Sequence, residues 1–261
     1  MRFALGIEYD GRLHCGWQSQ PSGCAVQNQI EAALTALAQE NIGVIAAGRT
    51  DAGVHASGQI AHFDTDAVRP LSGWVRGANT HLPSSIRILW AQPVAPDFHA
   101  RFSAVARSYR YLLYNHPVRP ALAFGRAGWY HEPLDVDAMA RAAQCLTGEH
   151  DFSSFRAAEC QARMPIKVMH EVLARRNGDY IILDFTANGF LHHMVRNIVG
   201  CLVYVGAGRK SAEWLAQLLA ARDRNVAAPT FSPDGLYLTE VRYDARFGLP
   251  HHSSPLFLPG L

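Results

Sequence analysis

Segments that alternate like β-strands and segments that repeat like α-helices follow one another in the same order twice along this chain of 261 residues. In residues 2–9, apolar residues alternate with small or polar ones, as in a strand with one buried face. In residues 25–39, apolar residues recur every three or four positions, as in an amphipathic helix. On this basis the first part of the chain contains strands at 2–9, 42–47, 57–64 and 86–94 and helices at 25–39 and 71–81.

The β-α-β-β-α-β order recurs after residue 105. Asn177-Gly178, between two strand-like segments, is a strong signal for a two-residue hairpin turn. The second part has predicted strands at 106–115, 167–176, 179–187 and 236–244, and helices at 135–146, 190–206 and, as an addition, 211–222. We therefore predict an α+β protein of two ferredoxin-like, RRM-like halves, residues 1–105 and 106–261, with mainly antiparallel sheets and a cleft between them.

Composition narrows the class of protein. The chain is 49% hydrophobic and 18% charged, which is typical of a globular protein with a sizeable core. We expect no membrane span and no signal peptide, because no apolar run is long enough and the N-terminal segment turns acidic early. The five cysteines are odd in number and form no CxxC pair, so we expect neither a disulfide framework nor a cysteine zinc site, and a cytoplasmic location.

Positive charge is carried almost wholly by arginine. The formal net charge is +2, and only Lys167 and Lys210 are lysines among 24 basic residues, which leaves 24 − 2 = 22 arginines. Arginine stacks on bases and binds phosphates bidentately, although a GC-rich genome, which favours arginine codons, is the simpler explanation of the bias. Binding to nucleic acid would require these arginines to cluster on one face.

The loop after the second predicted strand contains the best single candidate for chemistry. Gly48 and Gly53 enclose Arg49, Thr50 and Asp51, and the glycines allow the backbone to turn sharply. An ionised aspartate in such a loop can act as a nucleophile or a base. A simple turn, in which Thr50 and Asp51 bond to nearby backbone N–H groups, explains the same residues.

Arg196 is a second candidate, because it lies among apolar residues of the predicted helix at 190–206. If it is buried it requires a carboxylate partner, and Asp51 could be that partner. A positively charged arginine next to Asp51 would favour the ionised form of the aspartate. The alternative is an exposed arginine on an amphipathic helix.

Tyr109 and Tyr111 form a third candidate site, on one face of the strand at 106–115 with arginines beside them. Aromatic residues interleaved with arginines suit base stacking and phosphate contact. Two tyrosines that pack in a core would show the same spacing.

Motifs for cofactor or metal chemistry are not found in the sequence. It contains no GxGxxG at the start of a helix, no GxxxxGK[ST], no HExxH and no GxSxG. His192 and His193 fall within the predicted helix, where adjacent side chains point about 100° apart and do not converge on one ion. We therefore expect no cofactor and no metal site.

Five motifs taken together resemble the TruA family of tRNA pseudouridine synthases. They are YDG…GWQ (9–11 and 16–18), GRTDAGVHA (48–56), RSYRY (107–111), FLHHMVRNIVG (190–200) and GLYL (235–238). The resemblance runs from about residue 3 to the C-terminus, and GRTDAGVHA is its most specific part. The chain departs from the family at His14 and Cys15, where the family usually has an aromatic residue.

The resemblance implies the pseudouridine synthase fold with a catalytic cleft, and the isomerisation of uridine to pseudouridine in tRNA without cofactor or metal. Asp51 would be the catalytic aspartate, paired with Arg196. Tyr109 would pack against the target base and take part in removing the proton from C5. Arg49 would hold the flipped uridine out of the stack, and Leu236 would contact the uracil face.

The resemblance also implies a homodimer that acts on neighbouring uridines of the anticodon stem-loop. The expected partners are therefore tRNA and a second copy of the chain, and neither DNA nor a membrane. Two alternatives remain from the residues alone. One is a non-catalytic RNA-binding protein with two RRM-like units, although none of the strands matches the aromatic-rich RNP1 pattern. The other is a metallohydrolase that uses Asp and His residues.

Overall fold

The computed structural model describes residues 1–157 and 164–250. These residues form a mixed α+β structure in which most strand pairs are antiparallel. The strands are β1 (Arg2–Tyr9), β2 (Ile45–Ala46), β3 (His55–Asp64), β4 (Ile86–Pro93), β5 (Ala104–Asn115), β6 (Gly128–Tyr130), β7 (Gly148–Asp151), β8 (Ile166–Asn177), β9 (Tyr180–Ala187) and β10 (Leu236–Tyr243). The α-helices are α1 (Val26–Ala38), α2 (Leu71–His81), α3 (Val136–Ala143), α4 (Met194–Gly206) and α5 (Ala212–Ala221).

The spatial contacts between residues divide the chain into two compact units. Unit 1 comprises Met1–Val105 and residues 237–250, and unit 2 comprises the described part of Ala106–Leu236. The sequence prediction assigned everything after residue 105 to the second half. The contacts instead group residues 237–250 with unit 1, because β10 pairs with β3.

The sheet of unit 1 has the order β4–β1–β3, with antiparallel neighbours, which is the ferredoxin-like arrangement expected for the first half. β2 and β10 share the remaining edge of β3. β2 is antiparallel to β3 through the pair Ile45↔His62, whereas β10 is parallel to it through Tyr237↔His55. Because β2 has only two residues, the other end of β3 is open to β10.

The short length of β2 has a local cause. The sequence predicted a strand over 42–47, but the backbone N–H of Ile42 donates to Thr35 Oγ1 and that of Val44 donates to Glu31 Oε1, both at 3.0 Å. Side chains of α1 therefore take the N–H groups that a longer strand would offer to β3. Helix α2 coincides with its predicted bounds, and its Trp74 packs against Phe63 in the core with ring centroids 5.2 Å apart.

Unit 2 is built on the strand order β5–β9–β8–β7, all antiparallel, with β6 parallel to β5. The predicted hairpin is confirmed: Asn177 pairs with Tyr180, and Gly178 has a φ of 56°, which glycine adopts without strain. Helix α3 begins after Asp135, whose side chain accepts the N–H of Ala138 at 2.9 Å, and it packs on β8, α4 and α5. Strands β6 and β7 were not predicted.

The helices of residues 1–157 and 164–250 are all too short or too polar to cross a membrane.

Candidate active site

The loop between β2 and β3 in unit 1 contains Asp51. Thr50 before it is buried, with 7% of its surface exposed, whereas Asp51 is half-buried and Arg49 is exposed. The N–H of Val54 donates to the carbonyl of Asp51 at 3.1 Å and closes the turn. Gly53 has a φ of 81°, a conformation that side-chain-bearing residues rarely adopt. The loop therefore buries Thr50 and leaves the neighbouring Asp51 partly exposed to solvent.

The YDG…GWQ motif packs directly against this loop. A Cβ at Gly11 would clash with the carbonyl of Val54, and a Cβ at Gly16 would lie 2.7 Å from the carbonyl oxygen of Thr50. Gly16 also has a φ of 88°, and the N–H of Trp17 donates to the same Thr50 carbonyl at 2.9 Å. Both glycines are required by close backbone approach. The sequence contains both motifs, but it gives no sign that they touch.

His55, the first residue of β3, connects the two motifs. It is 2% exposed and stacks on Tyr237 with ring centroids 4.6 Å apart. Its Nδ1 lies 3.1 Å from the N–H of Gly11 and 3.3 Å from a carboxylate oxygen of Asp10. Nδ1 cannot accept from one and donate to the other. The Gly11 contact and the Asp10 contact therefore correspond to the two protonation states of Nδ1.

Asp10 is held as a carboxylate. Burial acts to raise its pKa, but hydrogen bonds and charge from His55 and Arg12 outweigh burial and keep the pKa well below its usual range. Arg12 Nη2 lies 2.5 Å from one carboxylate oxygen, and Arg12 Nε lies 2.9 Å from the other. This pair fixes the turn that precedes Gly16.

The departure from the family pattern coincides with a disulfide. Cys15 and Cys24 are bonded, with Cα atoms 5.5 Å apart, within the ordinary range. The N–H of Cys15 donates to the carbonyl of Cys24 at 3.2 Å, which brings the two backbones together. The expectation that the chain forms no disulfide is therefore wrong for this pair. Cys145 and Cys201 are free, and Cys160 lies outside the described residues.

In unit 2, Tyr109 and Tyr111 have different environments. Tyr109 is 9% exposed, and its ring packs edge-to-face on Phe190, with centroids 5.0 Å apart. Tyr111 is fully buried and donates its hydroxyl to the carbonyl of Ser232 at 3.0 Å. Burial raises the pKa of Tyr111 well above its ordinary value. The core interpretation is thus correct for Tyr111, and the role of Tyr109 stays a prediction.

Arg196 and Leu236 are also ordered by local contacts in unit 2. Arg196 is half-buried and donates from Nε to the carbonyl of Phe231 at 2.9 Å, so the alternative of an exposed surface arginine does not hold. The N–H of Phe231 returns a bond to the Arg196 carbonyl at 3.2 Å. Leu236 is 5% exposed, and its backbone N–H donates to the carbonyl of Pro233 at 3.0 Å. The pairing of Arg196 with Asp51 stays a prediction.

His192 and His193 precede helix α4 instead of lying within it. The sequence predicted a helix from residue 190, but α4 begins at Met194 and His193 has a φ of 61°. Their rings are consequently close, with centroids 3.9 Å apart, and do not diverge as predicted. The left-handed conformation of His193 is the reason for this difference.

Comparisons with known proteins agree with the motifs. A family profile described as tRNA pseudouridine synthase matches residues 6–103 and 142–244. A tRNA pseudouridine synthase A from Thiobacillus denitrificans is 60% identical over 253 residues, covering 97% of each chain. Two further proteins of the same name are each 58% identical. The one from Aromatoleum aromaticum matches 99% of this chain and 98% of its own length, and the one from Methylobacillus flagellatus matches 96% of each.

A chain from a crystal structure of a Cbf5-Nop10-Gar1 complex is a distant structural neighbour, with a TM-score of 0.39 and 11% identity over 90% of this chain and 48% of the other. That likeness is too remote to bear on fold or chemistry. The family profile covers most of the chain, including the Asp51 loop, and the sequence relatives span nearly all of it. The chain belongs to the tRNA pseudouridine synthase family.

Proposed function

We propose that this chain isomerises uridine to pseudouridine in tRNA, at neighbouring uridines of the anticodon stem-loop. Its family membership makes it an isomerase with tRNA as substrate. Relatives that carry the name tRNA pseudouridine synthase A at 58–60% identity over nearly the whole chain support this assignment.

The Asp51 loop is the observation that carries the proposal. In the reaction the N1–C1′ bond breaks, the uracil turns, a C5–C1′ bond forms, the C5 proton leaves and N1 takes up a proton. No electrons are gained or lost, so the chemistry calls for no redox cofactor. A fixed, accessible carboxylate suits the task as nucleophile or base, and Asp51 is a half-buried carboxylate on a tightly held turn. Asp51 is therefore our proposed catalytic residue.

Four further residues take roles that follow from the family resemblance. Tyr109 packs against the target base and takes part in proton removal from C5, and Leu236 covers the uracil face. Arg49, which is exposed, holds the flipped uridine and offsets part of an unstacking cost of a few kcal/mol. Arg196 is the partner of the Asp51 carboxylate.

The organisation and the setting belong to the same proposal. Asp51 belongs to unit 1, whereas Tyr109, Arg196 and Leu236 belong to unit 2. We expect the active form to be a homodimer in the cytoplasm, without cofactor or metal.

Release of tritium from uridine C5 in tRNA tests the function directly. The protein is incubated with tRNA that is tritiated at C5, in the presence of a strong chelator. We expect tritium in the water and pseudouridine in the digested tRNA. Binding of tRNA without tritium release would indicate a non-catalytic RNA-binding protein. Release that stops when the chelator is added would indicate metal-dependent chemistry.

A further inference from the structure

Three buried polar side chains lie behind the catalytic loop in unit 1, and the proposed reaction does not use them. Tyr9, Thr50 and Gln59 have exposed fractions of 2%, 7% and 0%. The hydroxyls of Tyr9 and Thr50 lie 2.8 Å apart and share a hydrogen bond. Gln59 Nε2 makes a longer contact of 3.4 Å to the Tyr9 hydroxyl. Buried polar groups are costly unless they are bonded, so a cluster of this kind needs a reason.

The cluster is tied to the backbone that leads into Asp51. Gln59 Nε2 donates to the carbonyl of Gly48 at 2.8 Å. Thr50 is the residue directly before Asp51, and its side chain points into the cluster while its carbonyl accepts the N–H of Trp17. The segment from Gly48 to Thr50, which directly precedes Asp51, is thus held at both ends. Gln59 binds the carbonyl of Gly48, and Tyr9 binds the side chain of Thr50.

We infer that Tyr9, Thr50 and Gln59 are positioning residues that fix the backbone of the catalytic loop and so the place of the Asp51 carboxylate. This inference rests on the proposed catalytic role of Asp51. None of the three needs to touch the substrate. Their effect is on geometry, because a displacement of about 1 Å at a reacting group can cost about 100-fold in rate.

The chemistry of the cluster suits a rigid support. Burial raises the pKa of Tyr9, and this effect outweighs the lowering by its hydrogen bonds with Thr50 and Gln59. The pKa is about 12, so the phenol stays neutral at physiological pH. The cluster adds no charge beside the catalytic carboxylate. It depends on hydroxyl groups in fixed positions, which phenylalanine and valine lack and which serine at position 50 retains.

Steady-state kinetics of four variants on C5-tritiated tRNA test the inference. Tyr9→Phe and Thr50→Val each remove one hydroxyl and keep the shape of the side chain. We expect kcat to fall about 10- to 100-fold with KM within about twofold, since tRNA binding does not depend on the cluster. Thr50→Ser should recover most of the kcat. Tyr243→Phe is the matched control, because its hydroxyl donates to the carbonyl of Ala100 at 2.6 Å in the same unit, and it should keep full kcat.

The double variant Tyr9→Phe with Thr50→Val separates positioning from general loss of stability. If the two hydroxyls act through one bond, its kcat should be close to that of the lower single variant. Wild-type kcat in both single variants would overturn the inference, as would equal losses in Thr50→Ser and Thr50→Val. If Tyr9→Phe does not fold, the comparison of Thr50→Val with Thr50→Ser tests the inference by itself.

Asp51→Asn distinguishes this inference from the function on which it rests. An inactive Asp51→Asn beside fully active Tyr9→Phe and Thr50→Val would refute the positioning role and leave the catalytic role in place. An active Asp51→Asn would refute the catalytic role itself.

Discussion

Asp51 is the residue on which the proposed chemistry depends most. Asp51→Asn removes the charge and changes little volume, so we expect kcat to fall about 1000-fold or more while the dissociation constant for tRNA stays within about twofold. Tritium release and filter binding on the same preparation measure the two quantities. Asp66→Asn makes the same change at an exposed aspartate in unit 1 and should retain full activity. Comparable turnover by both variants would remove Asp51 from the mechanism.

Two buried tyrosines on one strand allow a sharp comparison in unit 2. Tyr109→Phe keeps the ring that packs on Phe190 but loses the hydroxyl, so we expect kcat to fall about 100-fold with tRNA affinity unchanged. Tyr111→Phe loses the bond to Ser232 and should lower the free energy of unfolding by about 1 kcal/mol without affecting kcat. Kinetics and urea unfolding of both variants check this. Weaker tRNA binding alone in Tyr109→Phe would contradict a chemical role.

At the scale of elements, the sequence predicts what local signals determine. Helix α2 and the β8–β9 hairpin follow from periodicity and from Asn177-Gly178, and both are observed. The length of β2 depends on side chains of α1, and the place of β10 depends on an open edge of β3, neither of which is local. The start of α4 depends on one left-handed residue, His193.

In the candidate site, too, the local features are predictable from the sequence and the contacts between distant residues are not. The glycines and the aspartate of GRTDAGVHA are adjacent in sequence, so a tight loop with an available carboxylate is predictable from the motif. The approach of Gly11 and Gly16 to that loop, and the bond between Tyr9 and Thr50, join residues far apart in the chain. Alternation could place Tyr9 on a buried face, but only the three-dimensional pairing identifies its partner.

The Cys15–Cys24 bond closes a short surface loop beside the GWQ segment and makes a prediction for that element. In protein purified without reductant, both cysteines should resist alkylation, while the half-buried Cys145 reacts slowly. Reduction should lower the free energy of unfolding by about 2 to 3 kcal/mol, the value for a loop of this length. Peptide mass spectrometry and urea unfolding measure both. The double variant with serine at both positions should not respond to reductant.

For the whole molecule, acid weakens the fold in two separate pH windows. The pKa of Asp64 is lowered, chiefly by its hydrogen bond with Arg2, and the pKa of Asp10 is also low. A carboxyl with a depressed pKa stabilises the fold above its unfolded pKa of about 3.9, and this stabilisation is lost as the pH falls through the folded value. These two groups therefore act only in strong acid. Losses at milder pH need another source.

His62 is one such source. It is 2% exposed, and its Nδ1 accepts the N–H of Ala100 at 3.1 Å. Burial, with smaller effects from the charges of Arg2 and His99, lowers its pKa to about 4 although Asp64 acts in the opposite direction. The unfolded histidine titrates at about 6.5, so between about 6.5 and 4 the unfolded chain binds more protons and stability falls on acidification.

The expected loss from this one group is about 2 to 3 kcal/mol between pH 7 and pH 4.5. Urea unfolding at both pH values measures it. In His62→Gln the difference between the two pH values should shrink by that amount, whereas His81→Gln, at an exposed histidine of α2, should behave as wild type. Because other groups titrate equally in all three proteins, the comparison isolates His62. An undiminished pH dependence in His62→Gln would show that the imidazole is not kept neutral in the fold.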